Sequence, residues 1–319
     1  MSEFVGDSTP SPPARIGMTD VQAVEETTQV IRALDYRHGG GSCRTALEKH
    51  ATKCETLLHA EAAEPVRERL LVALADLHNL AGWTSFDVGA VEEAHLHFDR
   101  ALELARPSHN DDLVANILYR SGRVYLHHND PERALAMFQL GESAAVEAGS
   151  ELAVAILHSN EAWAYAKMGS EGEALEQLKL ARHAFAKADL SDPPVWARFF
   201  TEVDMAAMIG TVHTELAHSV DRKHSRLAIP ALQTAVDGYE EDMSRSWAFN
   251  LAALATNHLL QGDIDEAAEV GVEALSRATG VESARCKDRM LPLKAAAERR
   301  SDNADARDLA ERITAFIDA

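Results

Sequence analysis

Cysteine is scarce in this chain, and the few cysteines follow no pattern. The 319 residues include three, Cys43, Cys54 and Cys286, and no two of them stand in C-x-x-C spacing. An odd number of unpatterned cysteines excludes a disulfide framework of the kind found in small secreted domains, and it also excludes a zinc knuckle. We expect three reduced thiols that pack as small apolar side chains.

Positive charge is also in short supply. Lysine and arginine together number 31 against 51 aspartates and glutamates, which gives a formal net charge of −20. Such a charge repels a phosphate backbone, and no basic stripe along the chain offsets the repulsion. Direct nucleic-acid binding by this chain is therefore not expected.

Long apolar runs and strand patterns are missing as well. No stretch approaches the ~20 apolar residues needed to cross a bilayer, and the N-terminus lacks the pattern of a signal peptide. We expect a cytoplasmic protein with no membrane partner. No segment alternates Val, Ile or Thr with polar residues, so no β-sheet is expected either.

The motifs of enzymes and metal sites are absent too. The chain has no Gly-x-Ser-x-Gly elbow, and glycines 39–41 lack the downstream Lys-Ser/Thr of a phosphate-binding loop, so we expect them to end a helix. His95 and His97 point to different sides of a helix, and His213 and His218 are five residues apart, so neither pair can chelate one ion well. We expect no enzymatic activity, no cofactor and no metal site.

What the chain does contain is a repeat with a period of forty residues. A small residue, an alanine twelve positions later and a bulky apolar residue four positions after that recur three times, as Gly82, Ala94 and Phe98, then Gly122, Ala134 and Phe138, then Ala162, Ala174 and Leu178. Self-similarity at a fixed period is the signature of stacked structural units.

The spacing within each unit resembles the tetratricopeptide pattern, in which helix A carries the small residue and helix B carries the alanine and the aromatic. The small residue lets the two helices approach closely, and the bulky residue fills the space beside it. Gly or Asn stands where each helix A must end in a left-handed residue, at Gly89, Asn129, Gly169 and Gly262.

These features predict an all-α fold, a right-handed superhelical solenoid of tetratricopeptide-like hairpins with extended repeats of about forty residues. Residues 1–18 are expected to form a disordered linker or tail, and residues 19–319 the repeat domain. Clear repeats are predicted at 75–108, 115–148, 155–188 and 249–278, with a divergent inserted hairpin at 194–240 whose first helix runs from Pro194 to about His218. The last two helices are expected to cap the final repeat, with Phe316 and Ile317 as an alternative homodimer seam.

Two segments show a more specific resemblance. Residues 30–41 (VIRALDYRHGGG) and 80–89 (LAGWTSFDVG) resemble the sensor half of actinobacterial helix-turn-helix regulators of the phage-repressor type that carry C-terminal tetratricopeptide repeats. In that family a small DNA-binding domain precedes the linker, and eighteen proline-rich residues have no room for one. Either that domain was truncated from this chain or this homologue lacks it. The resemblance implies a sensing role in transcriptional regulation.

Function in such arrays usually lies on the concave surface, which the A helices line. Projecting the repeat register onto those helices predicts ten ligand- or partner-binding residues: Asn79, Trp83, Asp87, Asn116, Tyr119, Arg123, His127, Ser159, Trp163 and Lys167. Glu202, from the first helix of the inserted hairpin, is an eleventh candidate. Trp83 and Trp163 occupy the same repeat position with Arg123 between them, which suits recognition of a carboxylate or an aromatic ring. The alternative is that the tryptophans only fill space between hairpins, while Arg123 either pairs with Asp87 or is solvated.

Two functions remain open on these residues. In the first, the chain is a regulatory sensor that captures a peptide or small molecule in its concave groove. In the second, it is an adaptor whose surface docks a protein partner, with no small ligand. A sensor needs a closed, partly apolar pocket with a few polar anchors, whereas an adaptor can use an open polar face.

Overall fold

The protein is an all-α solenoid in which helices pair along the chain. A computed structural model describes residues 13–240, 243–281 and 283–319. Within these ranges fourteen α-helices form seven hairpins: α1 (Met18–His38) with α2 (Arg44–Glu55), α3 (Glu64–Asp87) with α4 (Val91–Ala105), α5 (Asp111–His127) with α6 (Pro131–Glu147), α7 (Glu151–Lys167) with α8 (Glu171–Lys187), α9 (Glu202–Ser219) with α10 (Ser225–Gly238), α11 (Ser244–Gln261) with α12 (Ile264–Ala278), and α13 (Ala284–Glu298) with α14 (Ala304–Asp318). The predicted fold class is confirmed.

The odd-numbered helices, here called A helices, form the inner layer, and the even-numbered B helices form the outer one. Helix α7 packs against α5, α6, α8 and α9, and thirteen of its seventeen residues are buried. Its partner α8 buries only four residues, all alanine or leucine. An A helix is therefore covered on nearly every side, whereas a B helix keeps one apolar stripe and a solvated face.

The repeat pattern acts through close approach of the two helices in a hairpin. A Cβ atom added to Gly82 would lie 2.8 Å from Cε1 of Phe98, and Gly122 faces Phe138 even more closely. In the third repeat the corresponding residues, Ala162 and Leu178, are both buried. Where helix B carries a phenylalanine, the facing residue of helix A is therefore glycine, and where helix B carries the smaller leucine, that residue is alanine.

We expect Gly82→Ala to lower the free energy of unfolding by about 1–3 kcal/mol, because the new methyl group would displace the Phe98 ring in a packed core. Urea denaturation measures the change. Gly172→Ala is the matched control, since a Cβ there meets nothing within 4 Å, and it should be neutral or slightly stabilising. Equal stability of the two variants would contradict the account of the repeat.

The predicted helix ends are confirmed in detail. Gly89, Asn129, Gly169 and Gly262 all have positive φ, between 60° and 98°. At the N-terminal ends of helices, capping side chains accept hydrogen bonds from backbone N–H groups of the first turn, as Asp130 does at the start of α6. Local sequence therefore sets where each hairpin turns.

Two boundaries differ from the prediction. Helix α9 begins at Glu202 rather than Pro194, because residues 195–197 form a short 3-10 helix and the chain stays irregular up to Thr201. Of the predicted tail, residues 1–12 lie outside the described residues. Its last part packs against the domain: Ile16 is buried and its N–H donates to the carbonyl oxygen of Glu61 over 3.0 Å.

The C-terminal hairpin caps the solenoid and also closes it. Helix α13 packs on α11, and α14 packs on α12, with Phe316 and Ile317 partly buried in the same apolar cluster. A homodimer through these two residues stays a prediction. Helix α13 also reaches back to α3, because the superhelix brings the last hairpin beside the second one. None of the described helices is both long enough and apolar enough to cross a membrane.

The contact that closes the superhelix is a buried ionic group, here called the Asp87 cluster, formed by Asp87, Gly40, Arg245, Ser283 and Arg285. Arg285 Nε donates to Asp87 Oδ1 over 2.7 Å and Arg245 Nη1 donates to Oδ2 over 2.9 Å. The Ser283 hydroxyl and the Gly40 N–H complete the carboxylate's hydrogen bonds. The cluster thus joins the first, second, sixth and seventh hairpins.

Candidate ligand-binding cavity

The A helices enclose a cavity of about 780 Å³ in the centre of the superhelix. Helices α3, α5, α7, α9, α11 and α13 all contribute to its wall, together with the segment from Trp196 to Thr201 that precedes α9. This volume lies within the range of about 300–1,000 Å³ typical of ligand pockets. The cavity is therefore large enough for a small molecule or a peptide of a few residues.

One wall of the cavity consists of aromatic rings stacked against guanidinium groups. Arg123 Cζ lies 5.0 Å from the ring centre of Trp163, and Arg289 Cζ lies 4.4 Å from the same ring. Two guanidiniums also lie near the ring centre of Trp83, Arg120 at 5.2 Å and Arg285 at 4.7 Å. These distances are within the ~6 Å over which a cation is attracted to a ring face.

The charge of the cavity is opposite in sign to that of the whole chain. Three carboxylates line it, from Asp204, Glu215 and Glu240. Seven arginines do so: Arg37, Arg120, Arg123, Arg198, Arg245, Arg285 and Arg289. A protein with a formal net charge of −20 therefore concentrates positive charge at its centre, where a low dielectric strengthens its effect.

Arg123 and Arg289, the two arginines beside Trp163, form no ion pair in the part of the chain that the structure describes. Among the described residues, neither Arg123 nor Arg289 has a carboxylate oxygen within 4 Å; Arg123 Nη1 donates instead to the Tyr119 hydroxyl over 3.1 Å. The nearby Glu215 accepts from Trp163 Nε1 over 3.1 Å and lies 3.8 Å from Lys167 Nζ. The two guanidiniums near Trp163 thus have no directly paired carboxylate among the described residues.

The environment of Arg289 is correspondingly unfavourable for its charge. Burial and the neighbouring Arg123, with a further contribution from Arg285, lower the pKa of Arg289 to about 9, although Glu215 partly offsets them. An anion bound beside Trp163 would relieve this repulsion. The site is therefore electrostatically suited to a carboxylate, a phosphate or a similar group.

Side-chain amides line another part of the wall. Asn79 Nδ2 donates to Asn116 Oδ1 over 2.6 Å, which holds the Asn116 amide in one orientation at the cavity. Asn160 Nδ2 donates to the Ile156 carbonyl oxygen, while its own Oδ1 is buried without a hydrogen-bond partner among the described residues. Such amides can pair with the backbone of a bound peptide.

Five of the eleven residues predicted from the sequence line the cavity, and they come from three A helices. They are Trp83, Asn116, Tyr119, Arg123 and Trp163. The side chains of Tyr119 and Trp163 are almost fully buried, and both contact Arg123. The structure therefore brings together the two tryptophans and the arginine that the repeat register placed in a row.

The other six predicted residues do not line the cavity: Asn79, Asp87, His127, Ser159, Lys167 and Glu202. Asn79 lies behind Asn116, and Ser159 is buried with its hydroxyl donating to the Ala155 carbonyl oxygen. His127 is nearly buried, and its ring centre lies 5.3 Å from that of Phe86. Lys167 lies beyond Trp163, beside Glu215. Glu202 is exposed at the start of α9.

Asp87 holds the superhelix closed instead of facing the cavity. Its partners are Arg245 and Arg285 rather than Arg123, so the alternative Arg123–Asp87 pairing is wrong. A projection from one repeat register assumes that nothing covers the ends of the A helices. Here the Gly40 turn and helix α13 cover the end of α3, and they convert a predicted surface residue into a buried one.

The sequence interpretation missed the contribution of the C-terminal half. Arg285 and Arg289 are on α13, which was expected only to cap the solenoid, and Phe249 on α11 lies 5.6 Å from the Arg289 guanidinium. One signal was available, since Arg285 and Arg289 are four residues apart and therefore share a helix face. The segment from Trp196 to Phe200 was assigned to a helix and thus was not considered as a wall.

Comparison with known proteins supports the fold. The structure is similar to the crystal structure of a Rap protein complexed with Competence and Sporulation Factor, with a TM-score of 0.52, 13% sequence identity, and coverage of 95% of this chain and 93% of that chain. It also aligns with NprR in complex with its cognate peptide NprX, with a TM-score of 0.49 and 14% identity over 94% of this chain and 81% of that one. No family model and no curated protein matches the sequence.

Proposed function

We propose that this chain is a regulatory sensor that binds a short peptide through an anionic group in its central cavity. The observation that carries the proposal is that Arg123 and Arg289 both lie within 5.0 Å of the Trp163 ring centre, while neither has a carboxylate partner among the described residues. The peptide's carboxylate would sit between the guanidiniums, and its neighbouring apolar side chain would contact the tryptophan ring.

A peptide suits the remaining wall of the cavity better than a simple anion does. The amides of Asn116 and Asn160 are placed to pair with peptide N–H and C=O groups, and aromatic residues such as Phe249 offer apolar contact. The Rap protein of similar fold was crystallised with Competence and Sporulation Factor, which supports ligand binding by this architecture. Identity with that protein is only 13%, so the ligand itself is argued from the cavity.

The adaptor function is the second candidate, and the charge distribution weighs against it. An adaptor would dock its partner on an open outer face, whereas Arg123 and Arg289 line a central cavity to which six A helices contribute. The regulatory role in transcription rests on the resemblance of residues 30–41 and 80–89 to helix-turn-helix regulators. A link to a DNA-binding unit and a cytoplasmic location likewise remain predictions.

Affinity selection from a peptide library tests the proposal. The purified chain would be incubated with a library of short peptides that carry free C-terminal carboxylates and with the same library amidated at that end, and retained peptides would be identified by mass spectrometry. We expect selective retention of peptides with a free carboxylate, with a loss of affinity of about tenfold or more on amidation.

Two results would count against this function. Retention of amidated and free peptides to the same extent would show that the arginines do not recognise the terminal carboxylate. Retention of no peptide, combined with the capture of a folded protein through the outer surface, would favour the adaptor.

A further inference from the structure

A second group of polar residues lies outside the cavity, between the third and fourth hairpins. Glu142 on α6 and His158 and Glu161 on α7 each present one ligand atom to a common point, and these three atoms lie within 4.8 Å of one another. None of the three residues lines the central cavity. His158 and Glu161 are buried, and Glu142 is partly exposed, so solvent can reach the group from one side.

The histidine in this group is oriented by a hydrogen bond on its far side. His158 Nδ1 lies 2.8 Å from Gln177 Oε1, a carbonyl-type oxygen that can only accept, so Nδ1 carries the proton. In the neutral ring Nε2 is then an acceptor, and it faces Glu142 Oε1 at 3.6 Å. This arrangement matches that of metal-binding histidines, which donate their other ring N–H to a supporting oxygen.

Glu161 adds a third acceptor in a place where a carboxylate is costly. Its side chain is 1% exposed, and its Oε1 receives no hydrogen bond from any donor among the described residues. Burial disfavours a negative charge on Glu161, and so does the carboxylate of Glu142 close by. A buried carboxylate of this kind requires a positive partner, and no lysine or arginine among the described residues forms an ion pair with Glu161.

The repeat supplies an internal comparison. In the second hairpin, eighty residues earlier, His78 takes the place of His158, its Nε2 lies 2.9 Å from Glu55 Oε1, and its Nδ1 contacts His97, the counterpart of Gln177. There Arg100 donates two hydrogen bonds to Glu55 and neutralises it. In the fourth hairpin, Leu180 replaces that arginine and Glu161 replaces Ala81. The fourth hairpin thus has no cation at this position and has a carboxylate where the second hairpin has an alanine.

We propose that Glu142, His158 and Glu161 bind a divalent transition-metal ion such as Zn²⁺. Bonds of about 2.0–2.2 Å to nitrogen and oxygen place the ligand atoms around one ion about 3–4.4 Å apart. The distance of 3.6 Å between His158 Nε2 and Glu142 Oε1 lies in this range. If Glu142 and Glu161 shared a single proton, Nε2 of the neutral His158 ring would still face a carboxylate without a hydrogen bond. One divalent ion satisfies all three and leaves a position for water on the exposed side.

An ion at this position would link two hairpins that form part of the cavity wall. It would tie α6 to α7, and hence the hairpin that carries Tyr119 and Arg123 to the hairpin that carries Trp163. The junction of these hairpins sets the distance between Arg123 and the Trp163 ring. Metal binding at this site would therefore stabilise one wall of the cavity without contacting the ligand.

The test uses the full chain stripped of metal with a chelator and then dialysed against Zn²⁺, with the bound metal measured by elemental mass spectrometry. Glu161→Gln keeps the shape of the side chain but removes the charge, and Glu55→Gln is the matched control in the equivalent site that already contains Arg100. We expect Glu161→Gln to lower the Zn²⁺ affinity by more than about tenfold relative to the wild type, whereas Glu55→Gln should retain it.

Two further variants guard against a change in folding. Glu142→Gln alters a partly exposed residue and should lose the same Zn²⁺ ion, and Gln177→Ala should weaken binding about 10–100-fold through the histidine. Thermal unfolding should shift upward with Zn²⁺ in the wild type and not in Glu161→Gln. Equal Zn²⁺ uptake by the wild type and Glu161→Gln, or no uptake by the wild type, would overturn the proposal.

Discussion

Replacing Asp87 with asparagine is expected to lower the free energy of unfolding by about 3–5 kcal/mol, because it leaves two buried arginines without their counter-ion. Asp87 is fully buried, Arg285 is 5% exposed and Arg245 is 18% exposed, so water cannot take the place of the lost charge. The loss should also loosen the contact between the second hairpin and the last two, since Asp87 is the point where they meet.

Urea denaturation measures this effect, and Asp76→Asn is the matched control. Asp76 pairs with Arg32 at the same kind of distance, 2.6 Å, but its side chain is 39% exposed, so its loss should cost no more than about 1 kcal/mol. Similar changes in the two variants would show that the Asp87 cluster does not hold the superhelix closed.

The effect of Asp87→Asn should depend on pH. Burial would raise the pKa of Asp87, but Arg285, Arg245 and the hydrogen bonds from Gly40 and Ser283 lower it to about 2, below the ordinary value of 3.8. A carboxyl with a depressed pKa contributes stability that is present above its ordinary pKa and is lost as the pH falls through the folded-state value. The difference between wild type and variant should therefore narrow between about pH 4 and pH 2.

Replacing Arg289 with methionine is expected to weaken binding of a selected peptide by about 2–5 kcal/mol, which corresponds to about thirtyfold or more in the dissociation constant. The reason is that Arg289 lines the cavity and is one of two cations near the Trp163 ring that have no carboxylate partner within the described ranges. Isothermal titration calorimetry with the free-carboxylate peptide measures the loss.

The same variant should not lose stability, and this distinguishes recognition from packing. Arg123 and Arg285 repel the Arg289 charge, and methionine removes that repulsion while keeping apolar contact with Trp163 and Phe249. The free energy of unfolding should therefore stay the same or rise. Arg182→Met, which makes the same change on the exposed face of α8, should alter neither quantity. A destabilised Arg289→Met with unchanged affinity would mean that the stack is structural.

The repeat pattern predicted some residues of the cavity wall correctly and placed others on it wrongly. Trp83, Arg123 and Trp163 occupy equivalent positions on neighbouring A helices, and adjacent hairpins keep a constant relation, so the register placed them on one wall. Asp87 and Lys167, near the ends of their helices, were assigned to that wall by the same rule but lie away from it. A register describes the middle of a repeat and does not include what packs over its ends.

The hairpins themselves were determined by the sequence alone. The alternation of helix A, a left-handed turn residue and helix B depends on contacts within one repeat or between neighbours, such as Gly82 with Phe98, and these contacts are encoded within a few tens of residues. Only the tertiary structure decided that Arg285 and Arg289 would face Trp83 and Trp163. Small rotations between successive hairpins add up along the solenoid, and only their sum brings α13 back to α3. No local pattern contains that sum, so the positive charge of the cavity could not be predicted from the sequence alone.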